Sequence, residues 1–375
     1  MNKPHRLLSS SVWSILFPSP RPSPQGRGRI VFQSCGNPQS LFVARVGLRV
    51  PLSPRERAGV RGKGVDEVLL CSKLKFVWLC FVFCFVALSR AQDMALADVL
   101  IDGEGWQLVA EGYQFTDGAC ADAGGNFYFT DVSKGTTVNK ISPDGKISAF
   151  IENAPKISGL KFGPDGRLYA CTQGPKKQVV AFEVPSGKMT VLADNVQPND
   201  LVVSRKGFAY FTETGKGQVT IVDAKGEVRV GATGIKAPNG ITLSTDQGTL
   251  AVSEYSGTNV WAYRVEADGS LAHGDRYMTL RTPVGKAESA GDGMTTDAAG
   301  RYYVTSAVGI QLFDPTGRMC GVIAKPQNKG LVSVAFAGAN LEYLYACCSD
   351  KIYRRKTKTR GVLFFQEPVL TQPRK

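Results

Sequence analysis

The sequence predicts an all-β fold, a six-bladed β-propeller, from two observations. The first is a recurring apolar strand led by a turn residue: Gly125-Asn-Phe-Tyr-Phe-Thr, Gly166-Arg-Leu-Tyr-Ala-Cys, Gly207-Phe-Ala-Tyr-Phe-Thr, Gly248-Thr-Leu-Ala-Val-Ser, Gly300-Arg-Tyr-Tyr-Val-Thr and Glu342-Tyr-Leu-Tyr-Ala-Cys. The copies are 41, 41, 41, 52 and 42 residues apart. A period near 40 built from short strands and turn glycines marks a radial repeat in which each unit is one four-stranded blade. The second is a column eight or nine residues upstream of each copy, occupied by Asp117, Ser158, Asn199, Asn239, Asp292 and Ser333. Rotation about a propeller axis relates equivalent positions, so these six side chains are expected to form one ring.

Taken in order, residues 1–68 carry Pro-, Ser-, Gly- and Arg-rich stretches without periodicity, such as Phe17-Pro-Ser-Pro-Arg-Pro-Ser-Pro. Such composition cannot bury enough apolar surface to offset the entropy of ordering. A basic arm for nucleic acid is one reading; the preferred one is upstream sequence ahead of the true start, excluded from the fold. Residues 69–91 then read as a secretory signal peptide. Lys73 and Lys75 supply the positive flank, Phe76 to Leu88 the apolar run, and Ser89-Arg90-Ala91 the small residues of a cleavage site near Ala91. A membrane-spanning helix needs about 20 apolar residues, more than this run supplies. Initiation at a non-Met codon such as that of Val65 or Leu69 would bring the signal close to the N-terminus. The mature chain, 92–375, is therefore expected to be secreted or periplasmic, with no membrane association after cleavage.

Charge agrees with that division. Residues 1–92 hold 14 Lys or Arg against 3 Asp or Glu, a net of +11, which leaves 31 against 29, or +2, for the rest. A nearly neutral mature domain gives no electrostatic case for nucleic acid. Five Cys remain after cleavage, Cys120, Cys171, Cys320, Cys347 and Cys348, with no C-x-x-C pair and so no zinc knuckle or redox motif. Cys171 and Cys347 stand where the other four repeats have Thr or Ser, as small buried residues would. The two histidines, His5 in the leader and His273 in a polar loop, argue against Ser-His-Asp or Cys-His catalysis and against His-rich zinc sites.

Within the blades, turns such as Ser142-Pro-Asp-Gly145, Asp223-Ala-Lys-Gly226, Glu266-Ala-Asp-Gly269 and Asp314-Pro-Thr-Gly317 join the later strands, and β-branched or aromatic runs such as Val260-Trp-Ala-Tyr-Arg-Val flank them. The one long interval contains Tyr277 to Gly291, a candidate loop over the central channel. An extra strand at Trp106-Gln-Leu-Val-Ala is expected to pair with the last blade, closing the ring and hiding two edges.

Asp117, Asn199, Asn239 and Asp292 offer two carboxylates and two amide oxygens. Hard oxygen donors suit Ca²⁺ or Mg²⁺, and two negative charges match one divalent ion. A plainer account also holds at this stage, since Asp117-Gly118, Asn239-Gly240 and Asp292-Gly293 are ordinary turn dipeptides.

Phe115-Thr-Asp-Gly-Ala, Gln197-Pro-Asn-Asp-Leu-Val-Val, Ala237-Pro-Asn-Gly-Ile-Thr-Leu-Ser, Gly291-Asp-Gly-Met-Thr-Thr-Asp and Ile352-Tyr-Arg resemble the gluconolactonase, senescence-marker-protein and luciferin-regenerating-enzyme family over residues 106 to about 361. The resemblance implies a six-bladed propeller that holds a divalent cation, Ca²⁺ before Mg²⁺, Mn²⁺ or Zn²⁺, and hydrolyses lactones. It places metal ligands at Asp117, Asn239 and Asp292, with Asp292 also catalytic, and a contact to metal-bound water or substrate at Asn199. Gln173 takes a substrate-facing position that often carries His in the family. Asp117 stands where the family usually has Glu, and Gly291 where it has Pro, which would leave the approach to Asp292 less rigid.

The reading that follows is a secreted, metal-dependent lactonase, expected as a monomer, with a small-molecule lactone as its partner and Asp292 as general base. The alternative is a non-catalytic, metal-stabilised propeller that binds a sugar, peptide or protein. A related propeller hydrolase or synthase with another substrate class stands third.

Overall fold

Among the described residues, short runs of Tyr, Phe, Val and Ile between Gly- and Asp-containing turns form 24 strands, and the strands form six four-stranded antiparallel sheets. This computed structural model describes residues 95–367. The leader 1–68 and the signal segment 69–91 lie outside the described residues. Among the described residues, no helix is long and apolar enough to cross a membrane.

Five sheets are consecutive in sequence, each with its first strand innermost: Thr116–Ala121, Ile157–Phe162, Leu201–Val203, Pro238–Leu243 and Met294–Thr296. The sixth has Leu331–Ala337 innermost and takes its outermost strand, Gln107–Glu111, from the other end of the fold, paired antiparallel to Lys351–Lys356. That pairing closes the ring as expected and covers an edge that would otherwise be open.

The core is divided into six parts, one between each pair of neighbouring blades. Phe127, Phe129 and Ala119 of blade one pack on Tyr345, Cys347 and Ile352 of blade six. Leu160, Leu168 and Val180 of blade two pack on Tyr128 and Val138 of blade one. The recurring second-strand tyrosine has a double task. Its ring fills the inter-blade core, while in three blades its hydroxyl donates to the turn aspartate just upstream, from Tyr128 to Asp122 at 2.7 Å, Tyr169 to Asp165 at 2.9 Å and Tyr303 to Asp297 at 2.9 Å. A buried phenol with a charged acceptor leaves no polar group unpaired.

The interval at 277–291 divides differently from the sequence expectation. Tyr277, Met278 and Thr279 complete the outer strand Leu271–Thr279, because Met278 is buried in the interface between blades four and five. The remainder is a connection anchored by buried Leu280 and by Ser289, whose hydroxyl donates to the Gly257 carbonyl at 2.8 Å. At the opposite end of the channel, Val362 to Phe365 line a cavity together with Lys161, Val202, Thr242 and Phe336. The chain is held across that end by Gln247, which donates to the Phe364 carbonyl at 2.7 Å, and by a bridge between Asp297 and Gly361.

Three buried carboxylates at the ends of second strands hold the segments that lead into the innermost strands. Asp131 accepts from the amides of Gln114 and Phe115 at 2.8 and 3.1 Å. Glu213 accepts from the Gln197 amide at 2.8 Å, from Gln218 and Thr220 at 2.6 Å each, and pairs with Lys216 at 2.7 Å. Glu254 accepts from the Trp261 indole at 2.8 Å and from the Asn259 side chain at 3.0 Å. Burial alone would raise the last two, but these donors outweigh it and hold both carboxyls below the ordinary glutamate value of 4.5.

A depressed folded-state value means that this stability is present above pH 4.5 and is lost as pH falls through the lower folded values. Thermal melts between pH 7 and pH 3 are therefore expected to show a falling midpoint below pH 4.5, with a shallower fall in Glu254→Gln. Glu254→Ala, which strands the Trp261 and Asn259 donors, is expected to cost about 2–4 kcal/mol at pH 7 by denaturant titration.

Candidate active site

The six ring positions lie in one layer, and the contacts between neighbouring innermost strands show why. A Cβ built on Gly240 would fall 2.0 Å from the Asp292 carbonyl oxygen, and one on Gly293 2.8 Å from the Ser333 Cα. On Gly159 it would sit 3.0 Å from both the Asn199 carbonyl oxygen and the Asp200 carboxylate. Strands converging on the axis approach so closely that the residue after the ring position has no room for a side chain at Gly159, Gly240 and Gly293. These glycines answer a packing constraint rather than a turn. Gly118 differs in also having a left-handed backbone, φ 68°.

Irregular register at the same place aims the ring residues. The innermost strands of blades one, two, four and six each carry a bulge there, between Asp117 and Cys120, Ile157 and Gly159, Pro238 and Ile241, and Leu331 and Ser333. A bulge breaks the in-out alternation of a strand and redirects a side chain, which is why bulges gather beside functional sites.

Hydroxyls then bind four of the blades to the next. Thr130 donates to the Ile157 carbonyl at 2.7 Å, Thr212 to Asn239 at 2.7 Å, Ser253 to Asp292 at 2.9 Å and Thr305 to Val332 at 2.9 Å. Cys171 and Cys347 occupy the equivalent place in the other two blades as buried free thiols, as expected of small core residues. Between blades two and three the missing hydroxyl bond is replaced from the ring itself, where Ser158 donates to the Asn199 carbonyl at 2.5 Å.

Asp117 and Asp292 are half-buried and Asn239 is buried. Burial raises both carboxyls well above the ordinary value, and each feels its neighbours: Asp200 adds to the rise at Asp117, and Asp117 and Asp200 add to it at Asp292. The Gly118 amide, 2.8 Å from the Asp117 carboxylate, and the charge of Lys161 work in the opposite direction. Asn239 has a buried side-chain oxygen with no hydrogen-bond partner. An orphaned acceptor of this kind costs stability unless a ligand completes it.

Asn199 is half-buried, its backbone N–H donating to the Thr212 carbonyl at 2.8 Å. Gln173 reaches the same layer, where its side-chain nitrogen donates to the Ser158 hydroxyl at 2.8 Å and to the Pro198 carbonyl. That nitrogen is thus engaged by the ring itself and fixes the segment leading to Asn199.

Two charged residues, one beside the ring and one below it, were not among the sequence candidates. Asp200 is buried, its carboxylate accepting from the Leu201 amide at 2.8 Å. The signal was present: Asn199 is followed by Asp where four of the other ring residues are followed by Gly. Lys161 lies three residues beyond Ser158 and donates to the Ala119 carbonyl at 3.0 Å.

The donor set tests whether a divalent cation fits. Among the described residues, no three His, Cys, Asp or Glu side chains are grouped so as to hold an ion. A mixed set of Asp117, Asp292 and the amide oxygen of Asn239 is of another kind, hard and oxygen-only. The unpartnered Asn239 oxygen beside two mutually repelling carboxyls is what such an ion would satisfy. Gly291 changes one expectation. A side chain there would meet Leu280 at 2.7 Å and the Glu254 carbonyl at 2.8 Å, so the backbone before Asp292 is held by close packing where a proline ring would not fit.

Comparison with known proteins agrees with this architecture. A gluconolactonase from Zymomonas mobilis is 25% identical over 293 residues, covering 68% of this chain and 82% of that one. A protein named lactonase drp35 from Staphylococcus saprophyticus is 29% identical over 192 residues, 45% of this chain and 57% of its own. Among solved structures, a gluconolactonase from Xanthomonas campestris superposes with a TM-score of 0.61 at 20% identity, over 70% of this chain and 92% of that one. A regucalcin from Agrobacterium tumefaciens, described as a calcium-binding protein, superposes at 0.59 and 14% identity, over 70% and 98%. At these identities the two structures speak for the fold. The family match is to the SMP-30/gluconolactonase/LRE-like region and spans residues 115–349, more than half of the chain and every ring position. The chain therefore belongs to the SMP-30/gluconolactonase/LRE-like family.

Proposed function

We propose that this protein is a divalent-cation-dependent lactonase that opens a sugar or aliphatic lactone, with Asp292 as general base. The reading is supported by the unpartnered buried oxygen of Asn239, on the same ring of strand positions as the interacting carboxyls of Asp117 and Asp292, in a propeller whose relatives include a gluconolactonase and lactonases.

Asp117, Asn239 and Asp292 would hold the cation, Ca²⁺ being the first choice for oxygen donors, with Mg²⁺, Mn²⁺ and Zn²⁺ as the other candidates. When bound, it supplies Lewis acidity toward a carbonyl and acidifies water. The chain's own residues do the rest. Asn199 offers an amide to the lactone or to the attacking water. Gln173 and Ser158 keep the Asn199 segment in place through their mutual hydrogen bond and the bonds to Pro198 and Asn199. Asp292, ionised, takes a proton as the water oxygen bonds to the carbonyl carbon. It returns that proton to the ring oxygen as the carbon–oxygen bond breaks, so lactone plus water gives the hydroxy acid. Asp292 is positioned for this by its backbone, which donates to the Thr305 carbonyl at 2.9 Å and accepts from Ser253.

Export through the segment at 69–91 would place this activity outside the cytoplasm, and a monomer is sufficient for it, since every residue named comes from one chain.

Asp292→Asn is expected to lower kcat by about 10²–10⁴-fold with a much smaller change in KM, measured by lactone hydrolysis over an aldonolactone and aliphatic panel. Full turnover in that variant would remove Asp292 from its role. Chelation of residues 92–375 is expected to abolish hydrolysis, and adding back Ca²⁺ at about a hundred-fold excess over Kd to stabilise the fold by about 3 kcal/mol. In a domain of this size that corresponds to a rise of about 5–10 °C in Tm. Restored Tm without any hydrolysis would favour the non-catalytic, metal-stabilised propeller.

A further inference from the structure

The register that produces the ring produces a second layer three residues further along each innermost strand. Its members are Cys120, Lys161, Val202, Thr242, Thr295 and Phe336, and all six line one cavity of about 40 Å³ at the end of the channel covered by Val362 to Phe365. Five of the six are neutral, and the sixth is a lysine. A propeller's rotation places equivalent positions around the axis, so this single cation sits under the carboxylate layer rather than on a peripheral face.

Lys161 is part-buried and its ammonium is fixed, donating to the Ala119 carbonyl at 3.0 Å. Ala119 is two residues along the same strand from Asp117. Among the described residues, no carboxylate pairs with Lys161 within salt-bridge distance, so its charge is not consumed by a local partner. Its ammonium is held instead against the strand that carries Asp117, so its charge acts on the layer above.

We propose that Lys161 is a built-in counter-cation of the ring, which shares the negative field of Asp117 and Asp200 with the bound divalent ion and so limits how tightly that ion is held. The inference rests on the cation site proposed above. Three carboxyls in one layer would otherwise bind a divalent ion more strongly and leave the ion-free protein with uncompensated buried charge. Lys161 is thus a positioning residue acting through the field at the metal ligands, not a group that touches the lactone.

The test is calorimetric titration of chelator-stripped protein with Ca²⁺ at pH 8. Lys161→Met is expected to tighten Ca²⁺ binding by about ten-fold, the order for removing one nearby like charge from a divalent ion in a hydrated channel. Lys161→Arg, which keeps the charge, is expected to stay within about three-fold of the parent. Should Lys161→Met fail to fold, Lys161→Gln, which keeps a donor for the Ala119 carbonyl, carries the same expectation. Equal affinity in the parent and the neutral variants overturns this proposal and leaves the lactonase reading standing. A parent protein that binds none of Ca²⁺, Mg²⁺, Mn²⁺ and Zn²⁺ overturns the cation site, and this inference with it.

Discussion

Close approach of the innermost strands around the axis is the constraint on which the rest of this molecule depends. The Cβ positions of Gly240 and Gly293 are already occupied by the Asp292 carbonyl and the Ser333 backbone. No side chain can intervene between these blades, so the ring residues of one blade are located by the backbone of the next. The buried hydroxyls of Thr130, Thr212, Ser253 and Thr305 use that proximity to bond across four of the six gaps. A site made in this way is rigid because it is shared: each ligand is held by its own strand and by the strand beside it.

Crowding has an electrostatic consequence. It brings Asp117, Asp200 and Asp292 within range of one another in a part-buried layer, and all three are raised by burial. Such a cluster demands either protons or cations. The second layer supplies one fixed positive charge, Lys161, and the unpartnered Asn239 oxygen suits a mobile one. By contrast, the buried carboxylates of Glu213 and Glu254 are fully served by donors and sit low. The contrast separates carboxylates that build the frame from those that the frame leaves in need of a ligand.

Much of the architecture was legible because a propeller repeats its instructions. The spacing of the Gly-led strands gave blade number, and the column at Asp117, Ser158, Asn199, Asn239, Asp292 and Ser333 gave the ring. What escaped the sequence reading was whatever does not repeat. Asp200 is the one acid that follows a ring residue, and Lys161 is the one charged residue of its layer, so the repeat itself predicts neither. Asp131, Glu213 and Glu254 occupy matching ends of their strands, yet nothing in a chain reading says that an acid there accepts from backbone amides of the preceding loop. The glycines after Asp117, Asn239 and Asp292 were legible as residues but ambiguous in cause, since a turn and a packing contact both select glycine. At Gly240 and Gly293 the cause is packing against the next blade.

Gly291 shows how the same constraint bears on catalysis. Judged by residue type, glycine in place of the family's proline loosens the backbone before the proposed base. Its surroundings reverse that inference, for a Cβ at Gly291 would fall 2.7 Å from the Leu280 side chain and 2.8 Å from the Glu254 carbonyl, and Ser253 bonds to both its carbonyl and that of Asp292. A proline fixes φ within its own ring; here neighbouring side chains and backbone fix the same segment from outside. The shift in means carries a shift in dependence. Rigidity at Asp292 now rests on Leu280 and on the connection that holds it, so the interval between blades four and five is coupled to the proposed base through packing rather than through contact with substrate.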